Sequence, residues 1–413
     1  MKCGLLGERL GHSYSPELHA LYGDYAYALL EVPQSRVEDF LKRGKFHGLN
    51  VTIPYKKTAY ALCDTLTEAA KAVGSVNTVV RQADGTLFGD NTDATGFEAA
   101  VSRSGLSIAG KKCLVLGSGG ASLAVQYVLR KLGAGAVVVI SRNGENHYGN
   151  LERHRDGTVI VNATPVGMYP DAGKAPVDLR DFPNCEGVFD LIYNPLRTAL
   201  IQQAEGLGIP AFGGLFMLAE QAWCASERFT GQSIPPERAE AAERTLRRRK
   251  ENLVLIGMPG CGKTTVGRAL AQQMNRPFVD TDEVFEQTVG FSPADYLRQN
   301  GEAAFRREET KVLAEVGKQS GQIIATGGGV VTRGENYPLL HQNGAILFLE
   351  RDLAELPTKG RPLSQQGSLG ELYARRLPLY RQFADITLRN DKAPESIAKE
   401  AEYAYEHFSA ERP

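Results

Sequence analysis

The run Gly257-Met-Pro-Gly260-Cys-Gly262-Lys263-Thr264-Thr265 sets a lysine and two hydroxyls directly after three glycines. It fits G-x-x-x-x-G-K-S/T, a loop whose backbone N–H groups curve round a phosphate chain while the next helix adds its positive end. Gly257, Gly260 and Gly262 are expected to shape that cradle and Lys263 to reach the β- and γ-phosphates of ATP. Thr264 is expected on Mg²⁺, with Thr265 completing the nucleotide contacts. Phe278-Val-Asp280-Thr-Asp282 then brings two carboxylates to the carboxyl edge of a sheet, where open α/β folds bind ligands. One carboxylate can help hold the metal while the other orients a hydroxyl and takes its proton. The same Asp-Thr-Asp is also good helix-capping sequence. Arg306, Arg361 and Arg376 supply cations, and Thr326-Gly-Gly328-Gly329 allows a close backbone approach. Together these suit an anionic substrate bearing hydroxyls.

A second set of groups lies nearer the start. Gly11-His12-Ser13-Tyr-Ser15-Pro16 offers two hydroxyls from one loop, and Asn50-Val-Thr52-Ile-Pro-Tyr-Lys56 delivers Thr52 and Lys56. Gly74-Ser-Val-Asn77-Thr and Gly89-Asp-Asn-Thr-Asp93-Ala-Thr-Gly96 add Asn77 and Asp93. Singly, each is an ordinary turn or cap, and Lys56 an ordinary surface lysine. As a set, a lysine, an aspartate and several neutral hydrogen-bonding side chains suit a polyhydroxylated substrate. Gly117-Ser-Gly119-Gly120-Ala121-Ser is either a dinucleotide-binding turn or a plain strand-to-helix turn. Arg142 follows about 20 residues later, where an NAD site carries an acidic residue, and its guanidinium favours the 2′-phosphate of NADP.

The elements that must position these groups alternate. Short apolar runs at 51–53, 112–117, 136–141, 159–162 and 187–193 are bounded by Gly, Asn, Asp or Pro, with a helical stretch at 121–132. Runs at 253–256, 278–280, 323–326 and 346–349 repeat the rhythm on a smaller scale. This βαβ pattern predicts an α/β protein of parallel sheets with helices on their faces. A turn-rich stretch, Gly231-Gln-Ser-Ile-Pro-Pro236, leads into a charged helix ending in Arg247-Arg-Arg-Lys250, which marks the main boundary.

A chain of 413 residues is long enough for two or three domains. Its 47 basic and 48 acidic side chains nearly cancel, which argues against nucleic acid or a membrane surface as partner. No apolar run approaches the ~20 residues that cross a bilayer, and the N-terminus does not read as a secretory signal. The six cysteines are scattered without a CxxC pair, as expected of reduced thiols in the cytoplasm.

Residues 250–413 resemble shikimate kinase, with the motifs above in that family's order. The resemblance implies that Asp282, Arg306, Gly328 and Arg376 hold shikimate, that Asp280 joins Thr264 around Mg²⁺, and that Arg361 is a lid arginine. Residues 1–246 look like shikimate dehydrogenase. There Asn162-Ala-Thr-Pro-Val-Gly167, Asp190-Leu-Ile-Tyr193-Asn-Pro195 and Gly213-Gly214-Leu-Phe-Met-Leu-Ala-Glu-Gln221 also agree. This second resemblance implies Ser13, Ser15 and Tyr193 at the substrate carboxylate, and Thr52, Asn77, Asp93 and Gln221 round the ring hydroxyls. Lys56 and Asp93 would be the catalytic pair, with Gly117, Gly119, Gly120, Ala121, Arg142 and Gly214 on NADP. The implied architecture is a two-lobed dehydrogenase with a Rossmann NADP domain, followed by a P-loop kinase domain with a central parallel sheet. The expected division is 1–96 for substrate binding, 97–212 for NADP and 213–246 for helices returning to the substrate domain. Residues 247–251 would link these to a kinase domain at 252–413. The small-molecule substrates implied are 3-dehydroshikimate and shikimate. Alternatives are a non-catalytic shikimate or quinate sensor and an NAD-linked quinate/shikimate dehydrogenase.

Overall fold

The computed structural model describes residues 1–11, 13–356 and 369–411. It divides into two compact units, the first comprising Met1–Met168, Lys174–Tyr193 and Leu200–Leu246. The second comprises Tyr169–Gly173, Asn194–Ala199 and Arg247–Pro413.

The first unit holds two sheets. In one, β1 (Lys2–Gly7), β2 (Ala26–Glu31), β3 (Gly48–Val51), β4 (Thr65–Leu66), β5 (Thr78–Arg81) and β6 (Leu87–Asp90) lie in the order β2-β1-β3-β5-β6-β4. This sheet is mixed, because β5 runs antiparallel to both β3 and β6. The expectation of parallel sheets throughout fails here, since the connection from β5 to β6 is a short hairpin and a parallel pairing needs a longer crossover. The strand expected at 51–53 is instead β3, ending at Val51. Pro54 has no N–H, Tyr55 N donates to Thr52 O at 2.9 Å to close a turn, and Ile53 stands 75% exposed.

The second sheet of this unit is wholly parallel, as the rhythm predicted. β7 (Lys112–Leu116), β8 (Ala136–Ile140), β9 (Val159–Asn162), β10 (Gly187–Asp190) and β11 (Ala211–Phe212) take the order β11-β10-β9-β7-β8. The run at 187–193 stops at Asp190 because its own carboxylate accepts Ile192 N at 3.1 Å and turns the chain. Helices Thr92–Ser104 and Leu215–Thr230 pack side by side. Their contact needs Gly96, where a Cβ would come within 2.6 Å of Met217 O.

In the second unit β12 (Asn252–Ile256), β13 (Phe278–Asp280), β14 (Ile323–Ala325), β15 (Gly344–Glu350) and β16 (Ile386–Arg389) form one parallel sheet, ordered β13-β14-β12-β15-β16. β12, β14 and β15 are almost completely buried, which explains their continuous apolar sequence. Residues 247–250 are the last turn of the helix Glu237–Lys250, and Glu251 is fully buried. Its carboxylate pairs with Arg197 at 2.9 Å, so the short stretch carrying Arg197 belongs to this unit although it lies within 97–212. All six cysteines are free. Among the described residues no helix is long and apolar enough to cross a membrane.

Candidate functional site

The first unit contains a cavity of about 140 Å³ lined by Ser13, Ser15, Thr52, Lys56, Asn77, Asp93, Tyr193 and Gln221. These eight positions come from six separate stretches of sequence, and their meeting follows from local structure. Ser13 and Ser15 precede and open the helix Ser15–Tyr22, and Thr52 leads the turn after β3. That turn ends where Lys56 opens the helix Lys56–Leu62. Asp93 sits in the first turn of Thr92–Ser104, whose N-cap Asn91 accepts Ala94 N at 3.3 Å. Tyr193 follows β10, and Gln221 projects from Leu215–Thr230.

The lysine and aspartate form an ion pair through Asp93 Oδ2, with side chains 14% and 6% exposed. Asp93 Oδ1 accepts from Asn77 Nδ2 at 2.9 Å, and the same amide nitrogen reaches Gln221 Oε1 at 3.2 Å. Asn77 Oδ1 in turn accepts Thr92 N at 2.7 Å, which fixes the amide. Both oxygens of Asp93 are thereby engaged, and the ammonium is held at the cavity wall. Burial raises the Tyr193 pKa, against a lowering hydrogen bond from Ser13, so the phenol stays protonated. Asn50 and His19 line the same cavity. Sequence reasoning did not single them out, although Asn50 stands two residues before Thr52.

The glycine turn Gly117–Ala121 lies between β7 and the helix Gly120–Lys131. Gly117 has φ +104°, and a Cβ there would sit 2.9 Å from Ala163 O. Gly119 is the N-cap and offers no side-chain bond, so the first-turn N–H groups face outward. An added Cβ on Gly120 would lie 3.3 Å from Lys56 Cδ, which puts the turn beside the lysine. Arg142 is exposed just beyond β8. These features fit a dinucleotide pyrophosphate at the turn and a 2′-phosphate at Arg142. Gly214 has a structural reason of its own: a Cβ there would come 2.2 Å from Leu191 O.

In the second unit the loop after β12 carries Gly257, Gly260 and Gly262 at φ +147°, +84° and +97°. Lys263 opens the helix Lys263–Met274 behind an uncapped N-terminus. Its Nζ is buried and donates to Gly257 O at 2.9 Å and Met258 O at 3.0 Å, so it must swing from these carbonyls to meet a phosphate. Thr264 and Thr265 lie exposed beside it. Thr264 Oγ1 donates to Asp280 Oδ2 at 2.8 Å, a hydroxyl–carboxylate pair that fits Mg²⁺ held together with a nucleotide. Asp280 is also the N-cap that accepts Asp282 N at 3.0 Å, so it caps as well as faces the loop.

Behind that edge lies a cationic cradle. Arg306 pairs with Glu309 at 2.7 Å, and Arg376 Nη1 donates to Gly328 O at 3.1 Å. Both guanidiniums are buried, and Arg306 Nε and Arg376 Nε have no hydrogen-bond partner among the described residues. A Cβ on Gly329 would overlap the Arg306 guanidinium, and one on Gly328 would press on Pro259. Asp282 keeps surface open to solvent, yet crowding of its carboxylate by protein, and then Asp280, raises its pKa. Glu309 and Tyr380, whose hydroxyl donates to Gly328 O, are parts of the cradle that sequence reasoning did not assign. Arg361 lies outside the described residues.

Residues 259–405 match the shikimate kinase family and 5–79 match the shikimate dehydrogenase substrate binding domain. A shikimate dehydrogenase (NADP(+)) of Clostridium perfringens is 34% identical over 252 residues, covering 56% of this chain and 93% of the relative. The solved chorismate mutase/shikimate 5-dehydrogenase fusion protein from Clostridium acetobutylicum is 36% identical with TM-score 0.56, covering 59% of this chain and 96% of that one. Shikimate 5-dehydrogenase from Thermus thermophilus, solved with NADP(H) and shikimate, is 35% identical with TM-score 0.54, covering 59% and 99%.

Proposed function

We propose that this chain, which belongs to the shikimate dehydrogenase family and continues into a shikimate kinase domain, makes shikimate in its first unit and phosphorylates it in its second. An oxidoreductase and a kinase are thus joined in one polypeptide. The specific reading is that 3-dehydroshikimate is reduced with NADPH, and that the shikimate formed is phosphorylated on its 3-hydroxyl with ATP and Mg²⁺.

The bound nicotinamide supplies the hydride. The chain's own residues handle position and the proton. As the carbonyl oxygen gains negative charge, the Lys56 ammonium beside it donates a proton, and in oxidation the amine takes it back. Asp93 aims that ammonium through Oδ2, while Asn77 holds Oδ1. Ser13, Ser15 and Tyr193 suit the carboxylate, and Thr52, Asn77 and Gln221 the ring hydroxyls. In the second unit Arg306 and Arg376 suit the carboxylate of the same acid, their N–H forks making charge-assisted bonds. Asp282 orients the attacking hydroxyl and receives its proton. Lys263 moves onto phosphate oxygens, and Thr264 with Asp280 would hold Mg²⁺.

The observation that carries the reading is the convergence of eight residues from six stretches of sequence on one cavity, with the Lys56–Asp93 pair in its wall. An assay with 3-dehydroshikimate, NADPH and ATP-Mg²⁺ tests it. Lys56→Ala should stop NADPH loss, and Lys263→Ala should let shikimate accumulate unphosphorylated. A Lys56→Ala chain that still consumes NADPH at the wild-type rate sinks the first half of the reading. Absence of a phosphorylated product from the wild type sinks the second. Comparing NADPH with NADH tests the role given to Arg142.

A further inference from the structure

Behind the cavity wall in the first unit lies a chain of polar groups that the reaction does not use directly. At its outer end the Ser226 hydroxyl donates to Ala222 O at 2.8 Å, and the Tyr25 hydroxyl lies between Ser226 Oγ at 2.6 Å and His19 Nδ1 at 2.5 Å. With Nδ1 as the acceptor there, Nε2 carries the ring hydrogen. Burial holds the His19 pKa down to about 3, so the imidazole is neutral throughout the working range, and its remaining hydrogen bond is to the Asn50 side chain. The ring of Tyr27 stacks on His19 with centroids 3.9 Å apart. The Tyr27 hydroxyl donates to Asn50 Oδ1 at 2.8 Å and also meets the Ser15 hydroxyl. Asn50 Nδ2 donates to Thr78 Oγ1 at 3.2 Å. The carbonyl end of the amide is thereby occupied on the protein side, which leaves one Nδ2 hydrogen for the cavity.

We infer that Tyr27, steadied by its stack on His19, is a positioning residue for shikimate: one hydroxyl sets both the Asn50 amide and the Ser15 hydroxyl at the substrate wall. The edge position of β2 makes this possible. Register places Tyr27 opposite Cys3, and Cys3 opposite Gly48 in β3, so the phenol reaches across β1 towards Asn50. The inference rests on the cavity being the shikimate site.

The test is initial-rate oxidation of shikimate with NADP on the full chain. Tyr27→Phe keeps the ring and the stack and removes the hydroxyl. The shikimate KM should rise about five- to tenfold, in line with one lost hydrogen bond, with kcat and the NADP KM within about twofold of wild type. In an Asn50→Ala background the same substitution should add clearly less, about two- to threefold, because only its Ser15 contact is left. A Tyr27→Phe chain with the wild-type shikimate KM, or with the same penalty in both backgrounds, overturns the inference. Should Tyr27→Phe not fold, Tyr25→Phe reads the same chain one step farther out. A shikimate KM raised about two- to fivefold then supports the inference, and an unchanged KM overturns it. If the wild type does not oxidise shikimate at all, the assignment of the cavity has failed rather than the role of Tyr27.

Discussion

Asp93 and Arg376 are buried alike, at 4% and 2% exposed, but their charges are met differently. Asp93 has Lys56 on one oxygen and the Asn77 amide on the other, and the cavity round them is built of neutral amides and hydroxyls. Arg376 meets the Gly328 carbonyl and the Tyr380 hydroxyl, and among the described residues no carboxylate pairs with it. Burial lowers its pKa, as expected for a desolvated cation. Burying a charge is costly unless it is paired, so the two sites have different resting states. The first cavity already holds its charged pair, which on the proposed function presents a directed proton donor. In the second unit Arg306 is paired with Glu309, while Arg376 has neutral hydrogen-bond partners that, on the proposed function, an entering carboxylate would join. On the proposed function, one acid would meet mainly neutral groups beside a lysine in the first site and a pair of arginines in the second.

The sharpest way to break this contrast is at the two lysines. Lys56→Ala should lower dehydrogenase kcat by about 10²–10⁴-fold with the shikimate KM within a few-fold, leaving kinase rates unchanged. An equal loss in kcat and KM would make Lys56 a binding residue instead. Lys263→Ala should reduce kinase kcat by about 10²–10³-fold, with dehydrogenase rates unaffected. Because Lys263 also ties the loop carbonyls together, thermal unfolding of the kinase unit should be followed beside the rate. A fall in rate that only tracks unfolding would assign it to the loop. Arg376→Lys keeps the charge but loses the planar fork, and should raise the kinase KM for shikimate about tenfold, with the ATP KM within twofold. No change there would mean that charge alone suffices. The smallest effect is expected away from both sites. Gly96→Ala should destabilise the first unit by about 1–3 kcal/mol in thermal or urea unfolding, as its methyl meets Met217 O, and leave the kinase unit as it is.

Much of both sites was legible because the residues concerned serve local geometry as well as chemistry. The phosphate loop announces itself through glycines at positive φ followed by a helix start, and Asp280 through its place at the end of β13. Lys56 and Asp93 are readable as positions, since each opens a helix after a turn, but nothing within either stretch says that they touch. Asn50, His19 and Tyr27 escaped notice for another reason. Each reads as an ordinary strand or helix residue, and its use comes from register across three strands and from packing on Leu215–Thr230. Arg197 is a similar case, since its partner Glu251 is 54 residues away along the chain.

Sequence alone determined the chemistry on offer: which groups are nucleophilic, basic or anion-binding, and that α/β elements carry them to sheet edges. Those facts follow from side-chain type and from spacing within a turn or two, where backbone geometry is nearly compulsory. Tertiary structure decided which groups meet. It set one sheet mixed rather than parallel, closed the Lys56–Asp93 pair, gave Asp93 its second partner and set Arg376 against the Gly328 carbonyl. Such outcomes depend on contacts between distant segments, whose distances are settled only when the whole core packs.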